Sequence, residues 1–184
     1  MLTTKIKSLL LLTNDYPYAK GETFLESEIH YLSSHFENVQ IVSCSCSTIQ
    51  TRTTPSNVSS RIFQSLPSLS CYLSLLNISF LKEFVANIFK NPLKNKIAIN
   101  SWLNGHTLAK DLQVDIKKNM VLYSYWLDDR SLALAILKSR NPELVIVSRA
   151  HRWDIYEEEH LYQYLPFRSF LFDKLDTIYS ISVD

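Results

Sequence analysis

A cluster of polar side chains follows directly on a short apolar run at residues 144–147. The cluster contains Arg149, His151, Arg152 and Asp154. An apolar run of this length is typical of a strand that is buried on both faces of a parallel sheet. Such sheets bind their ligands beyond the carboxyl ends of the strands. A histidine between two arginines and near an aspartate could hold an anionic or hydroxyl-rich ligand there and exchange protons with it. The alternative is a loop histidine among solvated charges.

The elements predicted around this cluster alternate between strands and helices. Strands are expected at residues 5–14, 39–46, 120–126, 144–147 and 177–182, and mainly helical segments at 66–96 and 97–118. Thr23 and Glu26 have the spacing of a capping box at the start of a first helix, and Pro166 is expected in the first position of a last one. Residues 47–65 are rich in serine and threonine and are predicted as an extended loop. The pattern predicts an α/β fold, a Rossmann-like parallel sheet with helices on both faces.

Composition limits the function classes. The 184 residues favour one domain, and a formal net charge of +1 disfavours a nucleic-acid partner. The only two glycines, Gly21 and Gly105, exclude a glycine-rich dinucleotide fingerprint and a P-loop. Cys44, Cys46 and Cys71 have no zinc spacing and are assigned to packing in a reducing compartment. No segment has the length of an apolar membrane span, so a cytoplasmic location is expected. No cofactor and no metal are expected.

The ends of several predicted strands are expected to meet at one edge of the sheet. The backbone amides of residues 21–23, at a predicted helix start, are expected there as well. The side chains that the topology places at this edge are Asn14, Asp15, Trp126, Asp128, Arg149, His151 and Ser182. Trp126 is either a stacking platform for a sugar ring or a core aromatic at a strand end. With a different strand order, these residues would not lie together at one edge of the sheet.

Two consecutive aspartates follow the strand predicted at residues 120–126. Asp128 and Asp129 are predicted to be charges at the start of the next helix, where the helix dipole favours negative side chains.

Four blocks of the sequence, in order, resemble the amino-terminal domain of the bacterial family 4 glycosyltransferases of polysaccharide and lipopolysaccharide assembly. The blocks are NDYPYAKGETFLESEIHYL, YSYWLDD, VIVSRAHRWDIYEEE and LPFRSFLFDKLDTIYSIS, and they leave out residues 47–119. The resemblance implies a GT-B enzyme with two Rossmann-like domains that transfers a sugar with retention of configuration, usually without a metal. Residues 1–184 would then be the single acceptor-side domain, without the carboxy-terminal nucleotide-sugar domain. The isolated chain is therefore expected to be inactive.

The resemblance also implies site residues and partners. His151 is assigned as the catalytic residue because it matches a histidine that approaches the transferred sugar. We expect it to hydrogen-bond a sugar hydroxyl rather than to act as an essential base. Substrate or acceptor binding is assigned to Gly21, Glu22, Thr23, Trp126, Arg149 and Asp154. Arg149 and Arg152 could stabilise negative charge on a diphosphate leaving group, although Arg152 stands where a small residue is expected. The partners would be a nucleotide-sugar donor, through the second domain, and a saccharide or lipid-linked acceptor.

Three further interpretations stay open. The chain could be a non-catalytic sugar- or partner-binding module with a Rossmann-like fold. A less favoured alternative is a metal hydrolase that uses His151, Asp154, Glu157, Glu158 and His160, although their spacing matches no metal motif. Residues 66–96 join an apolar face to lysines, which predicts either a core-packing helix or peripheral contact with the inner face of a membrane.

Overall fold

A computed structural model of the protein describes residues 7–181, in which six parallel strands form one sheet. The strands are β1 (Ser8–Thr13), β2 (Asn38–Ser43), β3 (Val58–Ile62), β4 (Met120–Ser124), β5 (Val145–Ala150) and β6 (Thr177–Ser180). Their order across the sheet is β3-β2-β1-β4-β5-β6, and every neighbouring pair is parallel. This is the strand order of a Rossmann-type sheet, in which the direction of winding reverses between β1 and β4. The predicted fold class is confirmed.

Helices cover both faces of the sheet. They are α1 (Leu25–His35), α2 (Leu69–Leu73), α3 (Ile78–Lys90), α4 (Lys94–Leu112), α5 (Asp129–Arg140), α6 (Arg152–Ile155) and α7 (Arg168–Lys174). Successive side chains of a strand point to opposite faces, and β1 divides its leucines accordingly. Leu9 and Leu11 pack in one cluster with Ile29 of α1, whereas Leu10 and Leu12 belong to a larger cluster with α3, α4, α5 and α7.

An aromatic group forms the centre of the larger cluster. Trp102 of α4 is fully buried, and its ring centroid lies 5.8 Å from that of Phe80 and 4.9 Å from that of Phe167. Gly105, one helical turn later, allows α4 and α5 to approach closely. A Cβ atom at this position would lie 2.9 Å from Cγ of Leu132.

The strand β3 lies inside the segment that was predicted to be a loop, so that prediction is wrong for residues 58–62. Only Val58 of this strand is fully buried, and the residues that follow are Ser59, Ser60 and Arg61. Such an edge strand lacks the apolar alternation by which strands are recognised. Arg61 instead forms ion pairs of 2.5 Å with Asp111, in the last turn of α4, and with Asp115, just after that helix. These ion pairs hold the edge strand to the rest of the fold.

Two predicted helix starts are also wrong. The helix α1 begins at Leu25 with Phe24 as its N-cap and without a side-chain cap, so Thr23 and Glu26 form no capping box. Glu26 forms an ion pair of 2.9 Å with Arg52. The helix α7 begins at Arg168, two residues after Pro166. Its N-cap, Phe167, is buried with a φ of 59°, so the chain turns sharply between the proline and the helix.

The segment between β3 and β4 is helical, as predicted, but it is divided differently. A helical turn at Ser74–Leu76 follows α2, and Asn77 then caps α3 by accepting a hydrogen bond from the backbone N–H of Ser79. Within residues 7–181, none of the helices is individually long and apolar enough to cross a membrane. The pair formed by Leu69–Leu76 and Ile78–Lys90, which is bent by 64°, reaches that length and composition only when taken together.

The three cysteines are free thiols in different environments. Cys71 is buried in α2 and Cys44 is half-buried against the core, which agrees with a packing role. Cys46 is exposed, so the assignment to packing is wrong for this residue. The predicted strand positions 5, 6 and 182, including Ser182 of the expected site, lie outside the described residues.

Candidate functional site

The strand order brings three of the predicted strand ends to one rim of the sheet. Asn14 follows β1, Trp126 follows β4 and His151 follows β5, and these three strands are neighbours in the sheet. Loops that leave β1 and β4 diverge because the winding reverses between them, and the crevice that results is where sheets of this type bind ligands. The expectation that Gly21, Trp126 and His151 lie near a common rim depends on this order.

Glu22 connects the loop after β1 to the end of β4. Its Oε1 accepts hydrogen bonds from the backbone N–H of Asn14 at 2.8 Å and from the indole Nε1 of Trp126 at 2.6 Å. Its Oε2 accepts from the backbone N–H groups of Asp15 and Tyr16, both at 2.8 Å. The backbone of Glu22 has a φ of 57°, in the left-handed region. Four N–H donors thus converge on one carboxylate, which gives Glu22 a clear structural role in holding the rim together.

Gly21 and Thr23 flank this carboxylate in different ways. A Cβ atom on Gly21 would lie 2.6 Å from Oδ2 of Asp15, so a larger residue at this position would require the Asp15 side chain to move. The carbonyl of Gly21 accepts a hydrogen bond of 2.7 Å from Arg52. Thr23 is exposed. Because α1 begins at Leu25, the amides of residues 21–23 precede the helix, and the prediction that they form its N-terminal turn is wrong.

The imidazole of His151 stacks on Trp126. The ring centroids are 4.2 Å apart and the planes are inclined by 26°. Nε2 of His151 donates to the carbonyl of Tyr125 at 3.0 Å, which places the proton on Nε2 and makes Nδ1 the acceptor atom of the ring. Burial lowers the pKa of His151, so the ring is neutral at pH 7. The His151 side chain also forms a capping box with Asp154 at the start of α6, so the ring is held from both sides.

Asp154 is buried beneath this rim and connects two of its loops. Its Oδ2 accepts hydrogen bonds of 3.1 Å from the backbone N–H groups of Leu127 and His151. The backbone N–H of Asp154 in turn donates to the carbonyl of His151 at 2.9 Å. Burial raises the pKa of the Asp154 carboxyl group. Asp154 therefore fixes the start of α6, and with it the position of the His151 backbone.

The two arginines that flank His151 are held by carboxylates. Arg149 forms an ion pair of 2.6 Å with Glu28 of α1, and its guanidinium lies 5.2 Å from the ring centroid of Tyr125. The side chain of Arg152 is 80% exposed and forms an ion pair of 2.6 Å with Glu159. Neither arginine lines the cleft beside Trp126. The structure thus does not bring them together as the pair of cations expected for a diphosphate.

A cleft of about 780 Å³ opens beside Trp126. Its volume is in the range of small-molecule binding sites. Trp126 and Asp154 line it, whereas Gly21, Glu22, Thr23, Arg149 and His151 do not. Asn14 and Asp128, which were expected at this edge of the sheet, also line the cleft. Four other residues of its wall were not predicted there: Asp129, Arg130, Trp153 and Arg168.

Arg168 supplies positive charge to this cleft. Its Nη1 donates to the carbonyl of Leu127 at 2.6 Å, while its buried Nε has no hydrogen-bond partner among residues 7–181. Burial lowers the pKa of Arg168, although the guanidinium remains charged. Arg130, by contrast, is paired with Asp128 and donates to Oδ1 of Asn14 at 2.9 Å. The buried Nε of Arg130 likewise has no hydrogen-bond partner, so what distinguishes Arg168 is that it forms no ion pair with a carboxylate among residues 7–181.

The two aspartates lie at the start of α5, as predicted. Asp128 is the N-cap and accepts a hydrogen bond of 2.9 Å from the backbone N–H of Arg130. Asp129 accepts from the hydroxyl of Ser101 and, at 2.9 Å, from the side-chain amide of Asn104. Burial, together with the charge of Asp128, raises the pKa of Asp129.

Trp153 is the more exposed of the two tryptophans in the cleft. Its side chain is 54% exposed, and its ring centroid lies 4.4 Å from that of His160. It belongs to the same polar cluster as His151, and this proximity in sequence could have identified it. Nothing local in the sequence indicates that Arg168 reaches the cleft, because α7 brings it there from another part of the chain.

The residues of the metal-hydrolase alternative do not assemble into a ligand set. Nε2 of His160 donates to the carbonyl of Trp153, and the Asp154 carboxylate accepts from two backbone N–H groups. In the part of the chain that the structure describes, no group of three histidine, cysteine, aspartate or glutamate side chains is arranged to hold a metal ion.

Comparisons with known proteins give little beyond the fold. No protein-family model matches the sequence, and no curated protein matches it. Among solved structures, the chain is similar to that of Phytolacca americana UGT2 complexed with UDP-2fluoro-glucose and pterostilbene, with 11% identity and a TM-score of 0.40. The match covers 79% of this chain and 30% of that chain, so this chain spans less than a third of that protein's length. A similarity of this degree says nothing about what the chain binds or does.

Proposed function

We propose that the chain is the acceptor-binding half of a retaining glycosyltransferase, which transfers a sugar from a nucleotide-sugar donor to a saccharide or lipid-linked acceptor. The observation that carries this proposal is the rim at the β1–β4 switch point, where Trp126 and His151 stack beside the cleft that Trp153 and Arg168 line. The ordered resemblance of four sequence blocks to family 4 glycosyltransferases supports the same class. On this proposal the protein acts in the cytoplasm of a bacterium, in polysaccharide or lipopolysaccharide assembly.

The cleft offers the kinds of contact that a saccharide needs. The apolar C–H face of a sugar ring packs on an aromatic side chain, and its hydroxyls require fixed donors and acceptors. Trp153 presents an exposed aromatic surface, while Asp129 and Asn14 present oxygen atoms at the cleft wall. Trp126 is held by Glu22 and His151, so it would serve as a rigid wall of the acceptor site.

Arg168 would contact the reacting groups from the wall of the cleft, whereas His151 would support that wall through its contact with Trp126. Because His151 stacks on Trp126 and does not line the cleft, it would position this indole ring rather than act as a base. Negative charge develops on a diphosphate leaving group, and a cation or N–H donors must stabilise it. We assign this assistance on the acceptor side to Arg168, in place of Arg149 and Arg152. Gly21, Glu22, Thr23, Arg149 and Asp154 then support the site by shaping its loops, and a second domain would supply the nucleotide sugar.

Saccharide binding by the chain tests the acceptor role. A panel of mono- and oligosaccharides is titrated by calorimetry, with Trp153→Ala and Arg168→Gln as site variants and Phe172→Gln as a control for an exposed aromatic outside the cleft wall. We expect each site variant to lower the affinity of a bound saccharide about tenfold, and the control to leave it unchanged. If no saccharide binds, or if all three variants bind equally, the acceptor role is wrong.

Sugar transfer is measured separately with a panel of nucleotide-sugar donors. The chain alone is expected to show no transfer, because the proposal places the donor site on another domain. Sugar transfer by the isolated chain would contradict the assignment of the donor site to another domain.

A non-catalytic sugar-binding module is the second candidate. The observation that favours it is that Glu22, Arg149 and Asp154 are all engaged by protein groups rather than directed at a ligand. Saccharide binding that persists without any transfer in the longest natural form of the protein would favour this candidate.

A further inference from the structure

The outward surface of residues 66–93, a segment that contains α2 and α3, carries many exposed apolar side chains. Large hydrophobic side chains that are exposed to solvent follow one another along it: Leu66, Leu69, Leu73, Leu76, Ile78, Leu81, Val85, Ile88, Phe89 and Leu93. We refer to these ten residues as the α2–α3 face. Monomeric proteins rarely expose a contiguous apolar surface of this kind unless it is an interaction site.

The helix α3 is apolar on both of its sides. Ile78, Leu81, Val85 and Phe89 recur at helical spacing on the outward side, and Phe89 is 84% exposed. On the inward side Phe80 is buried, with its ring centroid 5.8 Å from that of Trp102. The inward side already satisfies the core, so packing of the fold does not account for the outward apolar residues. The alternative of a core-packing helix thus explains only half of α3.

The charged side chains of the segment that carries this face are mainly positive. Residues 66–96 contain four lysines (Lys82, Lys90, Lys94 and Lys96) and a single acidic residue, Glu83, so four minus one leaves a net charge of +3. Glu83 is half-buried and accepts a hydrogen bond of 2.6 Å from the hydroxyl of Tyr164. Lys82, Lys90 and Lys96 are exposed. An apolar surface bordered by lysines is complementary to a bilayer with anionic headgroups.

We propose that the α2–α3 face binds the surface of an anionic lipid bilayer, with α3 lying in the plane of the interface. Leu81, Val85 and Phe89 would enter the boundary between headgroups and acyl chains, while the lysines contact lipid phosphates. The proposal is independent of the proposed sugar transfer and would hold for a protein of another function.

Charge favours a bilayer over a second copy of the chain. In a two-fold dimer the same surface meets itself, so the lysines of one copy would approach those of the other. Acidic side chains that could neutralise them are absent from residues 66–96 apart from Glu83, which is bonded to Tyr164. Anionic lipid removes this repulsion and covers the apolar residues together.

Sedimentation with lipid vesicles tests the proposal. The whole chain is mixed with vesicles of phosphatidylcholine alone and of phosphatidylcholine with phosphatidylglycerol, at low and at high salt. We expect binding to the anionic vesicles, weakened by salt because screening shortens the range of the lysine charges. The triple variant Leu81→Gln, Val85→Gln, Phe89→Gln should lower the partition coefficient at least about tenfold. The double variant Lys90→Gln, Lys96→Gln should lower it about fivefold per lysine.

Matched controls distinguish binding through the α2–α3 face from nonspecific vesicle binding and from the effects of misfolding. Phe172→Gln removes an exposed aromatic on α7, and Lys117→Gln, Lys118→Gln removes two exposed lysines elsewhere. Both controls should bind vesicles like the unmodified chain, and all variants should keep its circular dichroism spectrum. The proposal is overturned if the chain does not bind anionic vesicles at low salt, or if it binds neutral vesicles equally well. It is also overturned if light scattering shows a dimer that the triple variant dissociates.

Discussion

Replacing Glu22 with glutamine should loosen the rim of the site and destabilise the fold. Glutamine has the same length and makes the same demand on the left-handed backbone of this residue, so the change isolates the carboxylate. One of the two oxygens becomes an NH₂ group, which can no longer accept from the two N–H donors that face it. A hydrogen bond to a charged group contributes about 1.5–3 kcal/mol. Because Glu22 is half-buried, we take the lower value for each lost bond and expect a loss of about 3 kcal/mol in the free energy of unfolding.

Urea denaturation followed by circular dichroism measures this loss. The matched control is Glu26→Gln in the first turn of α1, where the carboxylate forms one ion pair with Arg52 and its side chain is 55% exposed. An exposed ion pair contributes less than about 1 kcal/mol, so the control should change the free energy of unfolding only slightly. Near-ultraviolet circular dichroism should also change in the Glu22 variant, because the Trp126 indole loses its partner. Equal stability of the two variants would refute the idea that the Glu22 carboxylate holds the rim.

Substitutions at three further positions test other contacts. Burial lowers the pKa of His106 to about 4, and the charge of Arg140 acts in the same direction. Below about pH 6.5 the unfolded state therefore binds more protons than the folded state, and the free energy of unfolding decreases as the pH is lowered. At pH 5 the cost is about 2 kcal/mol relative to pH 7, and His106→Gln should lack this component in paired urea titrations. Gly105→Ala should destabilise the fold by about 1–3 kcal/mol through its clash with Leu132, and an unchanged melting temperature would contradict this. Asp154→Ala should lower the free energy of unfolding by about 2–3 kcal/mol, because the N–H groups of Leu127 and His151 lose their acceptor. Asp154→Asn should lower it by less than about 1 kcal/mol, because asparagine keeps an oxygen for these two donors. Equal losses for the two variants on chemical denaturation would exclude this explanation.

Part of the site could be predicted because the positions of its strands follow from local sequence patterns. Apolar runs at the start of the chain and at residues 120–126 and 144–147 predicted strands, and the polar residues after them were expected at the carboxyl edge. The structure places β1, β4 and β5 side by side, and Trp126 and His151 stack where their strands end. The partners of the individual side chains were not predictable in this way. Arg149 was assigned to a ligand, but its carboxylate partner Glu28 is 121 residues away in the chain.

The sequence by itself determined the alternation of strands and helices, since a segment's apolar period and length follow from its own residues. It also determined that α2 and α3 are rich in apolar side chains bordered by lysines. The tertiary structure alone decided the strand order, the edge strand β3 and the outward exposure of α3, because burial depends on which elements pack together. It also decided that Glu22 binds Trp126 across 104 residues and that Arg168 lines the cleft. Such contacts join residues that only the folded chain brings together, and no local pattern records them.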